Sequence, residues 1–289
     1  MNRMFRCCAV IVFAGMAAGC VSDARAEPQP GGRLVRDKYG AIIRGDVKTK
    51  QLAFVFTGGD FGEGTAGILD ALKERNVKAA FFVTGSFLRR PTLRPLLQRA
   101  IAEGHYVGPH SDSHPLYCSW EDREKTLVTQ AFFNADLRKN IADLRELGAL
   151  RGNGRPLFVP PYEWYNADQV QWSDALGVTL INFTPGSGSN RDYAREGDPR
   201  FVPSRAIYRD ILAYEEKDPH GLNGFLLLLH LGAGRKDPFH PRLGPLCDEL
   251  TRRGYEFERV DQCVPLLAAK QRATRTKLGT ACLARPGES

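Results

Sequence analysis

The sequence predicts an α/β protein, built as a barrel of about seven parallel strands. Three observations lead to this fold class. Apolar, strand-like segments alternate with amphipathic helical patterns along most of the chain. Each strand is followed by a helix, which is the order that joins parallel strands through helical crossovers. The strands are almost continuously apolar, as expected for strands buried on both faces.

The elements follow one another without tandem repeats or an internal linker. Strands are predicted at 51–57, 78–84, 106–107, 157–159, 178–183, 224–230 and 256–260. Helices are predicted at 65–75, 92–103, 121–147, 167–176, 204–215 and 241–252. About seven such units favour a barrel over an open sheet, and the active site of a barrel gathers at the carboxyl ends of its strands.

The chain begins with an export signal. Residues 1–26 combine a basic start, a short apolar run and an Ala-Arg-Ala end, which is typical of a signal peptide and too short for a spanning helix. Cleavage after Ala26 would give a soluble protein. Cleavage before Cys20, in a sequence similar to a lipoprotein box, would leave a lipid-anchored one. Both remain open, and either predicts a periplasmic, secreted or envelope-anchored location.

The mature chain reads as one domain with short flanks. Residues 27–49 are predicted to be irregular, 50–262 to form the barrel, and 263–289 to be a basic tail. The net charge is +7, with scattered basic residues, so no nucleic-acid partner is expected, and membrane contact is expected only through lipid on Cys20. Four cysteines follow the signal and allow up to two disulfides, with Cys263 pairing Cys247 or Cys282 and Cys118 buried.

Polar side chains fall where the predicted strands end. His110 and His114 follow the strand at 106–107, and one helical turn between them would bring both imidazoles onto one cation. Pro115 disfavours a helical backbone at His114, which favours a rigid loop. Imidazole suits zinc, and a catalytic zinc usually has three protein ligands and an open position for water. Two histidines that are simply hydrogen-bonded in a loop are the alternative. Other strand ends carry 57–60, 160–166, 182–186 and His230.

These motifs resemble the polysaccharide deacetylase (NodB-homology) family of carbohydrate esterases over roughly residues 50–262. His110 and His114 are similar to the family's His-Ser/Thr-x-x-His metal ligands, and His230 ends a Leu-x-x-His segment as the implied general acid. Val159–Tyr162 is similar to the Arg-x-Pro-Tyr motif without its arginine, and the N–H of Tyr162 is the implied oxyanion donor. The resemblance implies a distorted (β/α) barrel of the NodB type, a divalent metal (zinc above others) and an N-acetylated glycan substrate.

The first of the family's motifs is the one from which this sequence differs most. The family's Thr-Phe-Asp-Asp-Gly supplies a base and a metal carboxylate, whereas residues 55–59 read Val-Phe-Thr-Gly-Gly. Asp60 is the nearest substitute and is predicted as third metal ligand, base or both, because the neighbouring glycines free its backbone. An ordinary turn aspartate is the alternative. Glu63 is a second substitute, although an acidic residue that opens the next helix describes it better.

Four more residues complete the candidate site. Glu163, Trp164 and Tyr165 are predicted to bind substrate, and Glu163 is also a further candidate carboxylate. Trp164 and Tyr165, together with Tyr162, are predicted to stack on a sugar, unless they merely pack. Asp112 is predicted to orient one of the histidines. The sequence thus predicts metal-dependent N-deacetylation of an envelope or extracellular glycan. A carbohydrate-binding pseudoenzyme and an O-acetyl esterase on the same barrel are the alternatives.

Overall fold

The structure is a computed structural model that describes residues 34–152 and 154–264. The predicted signal peptide, the lipidation site and nearly all of the basic tail lie outside these residues. Within them, no helix has the length and apolar character needed to cross a membrane.

Within residues 34–152 and 154–264, nine strands form two sheets. A seven-stranded sheet has the order β1-β2-β8-β3-β4-β5, with β9 against the start of β3, and β6 and β7 form a separate pair. Only β2 runs antiparallel to the main strands, where it pairs with β8. The strands are β1 (Val35–Arg36), β2 (Ile42–Arg44), β3 (Gln51–Gly58), β4 (Ala80–Val83), β5 (Tyr106–Pro109), β6 (Leu157–Phe158), β7 (Thr179–Leu180), β8 (Phe225–His230) and β9 (Glu256–Phe257).

The two sheets curl towards each other as a distorted barrel. On one side, a long hydrogen bond of 3.4 Å from the Val159 N–H to the Pro109 carbonyl joins β6 to β5. On the other, an isolated bridge joins Ile42 to Ile181, just past β7. The α/β barrel class is therefore confirmed. The expectation that 27–49 is irregular is wrong for β1 and β2, which were too short to show a period-2 pattern.

The helices pack outside the sheet, except for the last one, which contributes Val260 and Cys263 to the barrel interior. They are α1 (Thr65–Glu74), α2 (Gly85–Leu88), α3 (Arg94–Ala102), α4 (Gln130–Glu146), α5 (Ala167–Ala175), α6 (Ser204–Lys217), α7 (Leu243–Arg252) and α8 (Val260–Cys263). The prediction of a helix from 121 is wrong by nine residues. Thr129 is the true N-cap, since its hydroxyl accepts a hydrogen bond from the Phe132 N–H at 3.2 Å.

Alternation along β3 and β8 decides which side chains enter the barrel. Phe54, Phe56 and Leu227 belong to the core between sheet and helices. Ala53, Val55, Leu226 and Leu228 belong to the barrel interior. Because side chains alternate between the faces of a strand, Thr57 and His230 point to the interior at the carboxyl ends of their strands. They are direct neighbours in the parallel register.

The cysteines do not form the pairing that was expected between Cys263 and Cys247. Cys118, Cys247 and Cys263 are all buried as free thiols. Cys247 packs in the core under the helices and Cys263 in the barrel interior, so the sheet lies between them. Cys282 lies outside the described residues.

Candidate active site

The loop after β5 brings His110 and His114 together, with ring centroids 5.0 Å apart. It is not a helical turn. Ser111 and His114 have φ values of 70° and 57°, in the left-handed region that few non-glycine residues adopt. These two left-handed residues fold the loop so that both imidazole rings face the same space. The expected rigid loop is therefore confirmed, and a helical turn is excluded.

Helix α4 holds this loop in place. The Asp136 carboxylate accepts hydrogen bonds from the N–H groups of Asp112 and Ser113, at 2.9 and 3.0 Å. The Asn140 side-chain oxygen accepts one from the His110 N–H at 3.0 Å. Both side chains are buried. A strained loop persists only where its surroundings hold it, and these bonds do so here.

The imidazoles are held neutral. Burial, more than the nearby His114, lowers the pKa of His110 well below its usual value. Burial likewise lowers the pKa of His114 to about 4, against the opposing charge of Asp60. The Nδ1 of His110 lies 2.7 Å from the Val159 carbonyl. A carbonyl can only accept, so Nδ1 carries the hydrogen and Nε2 keeps a free lone pair.

Asp112 does not orient either histidine, which corrects the expectation for this residue. Its carboxylate binds Arg89 at 2.6 Å and Lys139 at 2.9 Å on the outer side of the loop. Burial raises the pKa of Asp112, but these two cations outweigh it and lower the net pKa. The Val159 carbonyl and Asn140 take the supporting role instead.

The two acidic residues after β3 differ in placement. Asp60 is exposed, and it is the carboxylate whose charge acts on His114. Glu63 instead holds the loop after β8, because its carboxylate accepts hydrogen bonds from the N–H groups of Ala233 and Gly234 at 2.9 and 2.6 Å. This contact leaves Glu63 a structural role, and Asp60 remains the candidate carboxylate beside the histidine pair.

His230 forms the second ionisable centre of the site. Its Nδ1 lies 2.6 Å from one oxygen of the buried Asp192 carboxylate, and its backbone N–H donates to the other oxygen at 2.9 Å. Burial lowers the pKa of His230, but the charge and hydrogen bond of Asp192 outweigh it and the net pKa is raised. His230 is therefore placed to carry a proton on Nε2, as a general acid must.

The 3-10 turn Pro161–Glu163 follows β6 and carries unusual backbone angles. Tyr162 and Glu163 have φ values of 57° and 51°. The Tyr162 ring packs on His114 with centroids 4.3 Å apart. Among the described residues, the Tyr162 N–H has no acceptor. A free N–H beside a histidine pair can serve as an oxyanion donor.

An exposed aromatic platform lies beside this turn. Trp120 and Tyr162 are 54% and 46% exposed, with ring centroids 5.8 Å apart. Trp164 lies 5.2 Å from Trp120, and the Arg123 guanidinium covers it at 4.0 Å. Tyr165 is not part of the platform. It is 1% exposed in the core, which corrects the expectation that it stacks on a sugar.

A divalent metal fits the two imidazoles, whose neutral rings can offer lone pairs to one ion. Among the described residues, however, no three His, Cys, Asp or Glu side chains are arranged to hold a metal ion. Asp60 is a carboxylate whose charge acts on His114, and it remains the candidate for the third position.

Comparison with known proteins identifies the fold family. Residues 44–181 match the family model described as polysaccharide deacetylase. The chain carries a domain of the polysaccharide deacetylase (NodB-homology) family. Among solved structures, Bacillus subtilis PdaA, a family 4 carbohydrate esterase, is similar with a TM-score of 0.63 at 23% identity, over 78% of this chain and 86% of that one. A wild-type pseudoenzyme of the same esterase family from Bacillus anthracis is similar with a TM-score of 0.59 at 19% identity, over 78% and 70%.

Curated relatives have matching names. The peptidoglycan-N-acetylglucosamine deacetylase PgdA of Listeria monocytogenes is 32% identical over 74% of this chain and 38% of its own length. A chitooligosaccharide deacetylase of Bradyrhizobium is 27% identical over 79% of this chain and 95% of its own. The chain spans less than half the length of the first curated relatives that it matches.

One position that the family uses for a metal-binding side chain is filled by apolar neighbours in this domain. In the family register Gly58 stands where a metal-binding aspartate is expected. A Cβ on Gly58 would come within 2.8 Å of Leu231 and Phe87. These apolar side chains fill the space, so a carboxylate at this position would have to displace Leu231 and Phe87.

Sequence reasoning missed Asp192 and Trp120. Asp192 lies in the loop 189–193 and meets His230 across 38 residues of chain, a contact that no local pattern reports. Trp120 is a single aromatic in a polar segment. Its nearness to Pro115 and to the histidine loop was the available signal.

Proposed function

We propose that this protein removes N-acetyl groups from an envelope polysaccharide or a related oligosaccharide, using a divalent metal, most simply zinc. The observation that carries the proposal is the juxtaposition, at one end of the barrel, of two histidines that face each other and a third histidine that is hydrogen-bonded to a buried aspartate. The facing pair suits a metal and the third histidine suits a general acid. The names of the relatives support an N-acetylated glycan as substrate and an exported location.

Each group then has a task. His110 and His114 would hold the metal, with Asp60 as third ligand. When bound, the metal would polarise the acetyl carbonyl and activate water. The Tyr162 N–H would donate to the oxyanion, a contact worth roughly 3–4 kcal/mol in comparable sites. His230 would protonate the departing amine, while Asp192 keeps that histidine charged and correctly oriented.

Trp120, Tyr162 and Trp164 would bind the sugar rings next to the reacting acetamide. Exposed aromatic faces cover the apolar faces of sugars, and the Arg123 guanidinium fixes the Trp164 ring. The open platform suits a chain that extends beyond the reacting residue.

A glycan-binding pseudoenzyme is the second candidate. The lack of a three-ligand cluster among the described residues favours it, together with the closed Gly58 position. The buried His230–Asp192 pair opposes it, because binding alone has no use for a buried charge pair.

The test is metal content and acetate release from N-acetylglucosamine oligomers with added zinc. We expect about one ion per chain, which is lost with activity in His110→Ala and retained in His220→Ala, a replacement of an exposed histidine away from the site. If the wild-type protein stays metal-free after zinc is added, the proposal of a metal-dependent hydrolase is overturned. Glycan binding without acetate release would establish the pseudoenzyme.

A further inference from the structure

We propose that the carboxylate of Glu163 is the general base of this site, taking the place of the carboxylate that β3 lacks. This role rests on the deacetylation proposed above. From the sequence, Glu163 was predicted as a substrate-binding residue and as a further candidate carboxylate, without a role as base.

The first observation is where the side chain lies. Thr57, which occupies the family's base position, points into the barrel beside His230. The Thr57 hydroxyl is buried and has no partner at ordinary hydrogen-bond geometry. The Glu163 carboxylate faces this hydroxyl, and the charge of His230 acts on it. A carboxylate from the turn after β6 thus enters the space that a longer side chain at position 57 would fill.

The second observation is the backbone that puts it there. Tyr162 and Glu163 are consecutive residues in the left-handed region, a conformation that is costly for residues other than glycine. The Asn182 side-chain amide donates to the Glu163 carbonyl at 2.9 Å, and the Glu163 N–H donates to the Pro160 carbonyl at 3.0 Å. The turn is therefore held in this conformation, which directs the Tyr162 ring to His114 and the Glu163 carboxylate to Thr57.

The third observation is that the carboxylate is free to react. Among the described residues no arginine or lysine pairs with it, and the hydroxyl that faces it is that of Thr57. The groups that face it are Thr57 on β3, His230 on β8 and Asp192 in the loop 189–193. Burial raises the pKa of Glu163 in spite of the opposing charge of His230. A base of raised pKa accepts a proton more readily near neutral pH.

Glu163 and His230 together account for every proton that the reaction moves. Glu163 takes one proton from the attacking water, whose oxygen bonds to the acetyl carbon. His230 gives its proton to the nitrogen as the C–N bond breaks, so acetic acid and a free amine leave. Glu163 then holds a proton and His230 lacks one. Since the two groups face each other, transfer from Glu163 to His230 restores both.

The experiment compares acetate release and glycan affinity in wild type, Glu163→Gln and the control Glu124→Gln, which changes an exposed glutamate. We expect kcat to fall by about 10²–10⁴-fold in Glu163→Gln with glycan affinity and metal content unchanged, as for loss of a positioned base. The control should keep its rate. A wild type that binds glycan but releases no acetate would overturn both this role and the proposed function.

A second variant separates the base from a structural role. Thr57→Asp combined with Glu163→Gln puts a carboxylate back on β3, facing the same space. We expect it to recover at least about tenfold of the lost kcat, because a general base acts through a correctly placed carboxylate. If the wild type is active and the kcat of Glu163→Gln lies within about threefold of it, the role of Glu163 is overturned and the proposed function is not. A loss in Glu163→Gln that Thr57→Asp does not relieve would overturn it as well.

Discussion

The pair of His230 and Asp192 makes a sharp prediction through the replacement Asp192→Asn. The asparagine keeps the size of the side chain and one oxygen that can accept the Nδ1 hydrogen. It removes the charge and the second acceptor, which binds the His230 backbone N–H. Asp192 is 4% exposed and lies 2.6 Å from His230. The charge therefore acts on the imidazole with little screening by solvent.

The size of the effect follows from this geometry. Two unit charges about 4 Å apart at an effective dielectric constant of about 20 interact by about 4 kcal/mol, or about 3 pKa units. Relaxation and the retained hydrogen bond reduce this, so we expect the pKa of His230 to fall by about 1–3 units. Glu163 still raises it and Arg235 still lowers it in the variant.

Two measurements check this expectation. An NMR titration of His230 gives its pKa directly, with Asp198→Asn as a control that removes a carboxylate paired with Arg200. In the pH profile of kcat, activity depends on protonated His230 and falls as pH rises through its pKa. The fall should therefore begin about 1–3 pH units lower in Asp192→Asn. An unchanged titration midpoint would refute the assignment of Asp192 as the group that holds the proton on His230.

Stability gives a third readout that needs no substrate. The folded pKa of His230 lies above its unfolded value, so the pair stabilises the fold fully below pH about 6.5 and this contribution is lost as pH rises through the folded pKa. In Asp192→Asn this dependence of the unfolding free energy on pH should shrink or vanish. Asp198→Asn should retain it.

Three further predictions follow from single contacts. Asp136→Ala removes the acceptor for the histidine loop and should cost about 2–4 kcal/mol in urea unfolding, whereas Asp143→Ala, on the exposed side of α4, should cost less than about 1 kcal/mol. Trp120→Ala should weaken glycan binding about three- to tenfold by calorimetry, while Phe132→Ala, an exposed aromatic outside the platform, should leave it unchanged. Gly58→Asp should destabilise the fold by about 1–3 kcal/mol and leave zinc affinity unimproved, because Leu231 and Phe87 fill the space. Tighter zinc binding in Gly58→Asp would contradict the conclusion that Leu231 and Phe87 keep a carboxylate at this position from binding the metal.

Long periodic segments could be predicted from the sequence, and contacts between distant segments could not. The bounds of β3, α1 and β8 agree within one residue with the predicted segments, because continuous apolar runs and 3.6-residue patterns are local. The start of α4 was missed because polar residues from 121 onward allow a helix without requiring it. The N-cap at Thr129 decides the start. The histidine pair was predicted, but its left-handed residues arise from bonds to Asp136 and Asn140 on α4.

The differences between this chain and the family are consistent with one another. They indicate that catalytic groups stand at other positions of the site and have not been lost. The position of the family arginine is taken by Val159, which is fully buried in the barrel interior. A buried arginine there would be costly without the aspartate that position 57 no longer supplies, so the two losses go together. A site released from catalysis could also replace both His230 and Asp192 with apolar residues, which is often neutral or stabilising for a buried ion pair. That pair is retained, and a strained turn brings another carboxylate towards it. We infer that this site still transfers protons, with Glu163 and His230 as the two groups that exchange them.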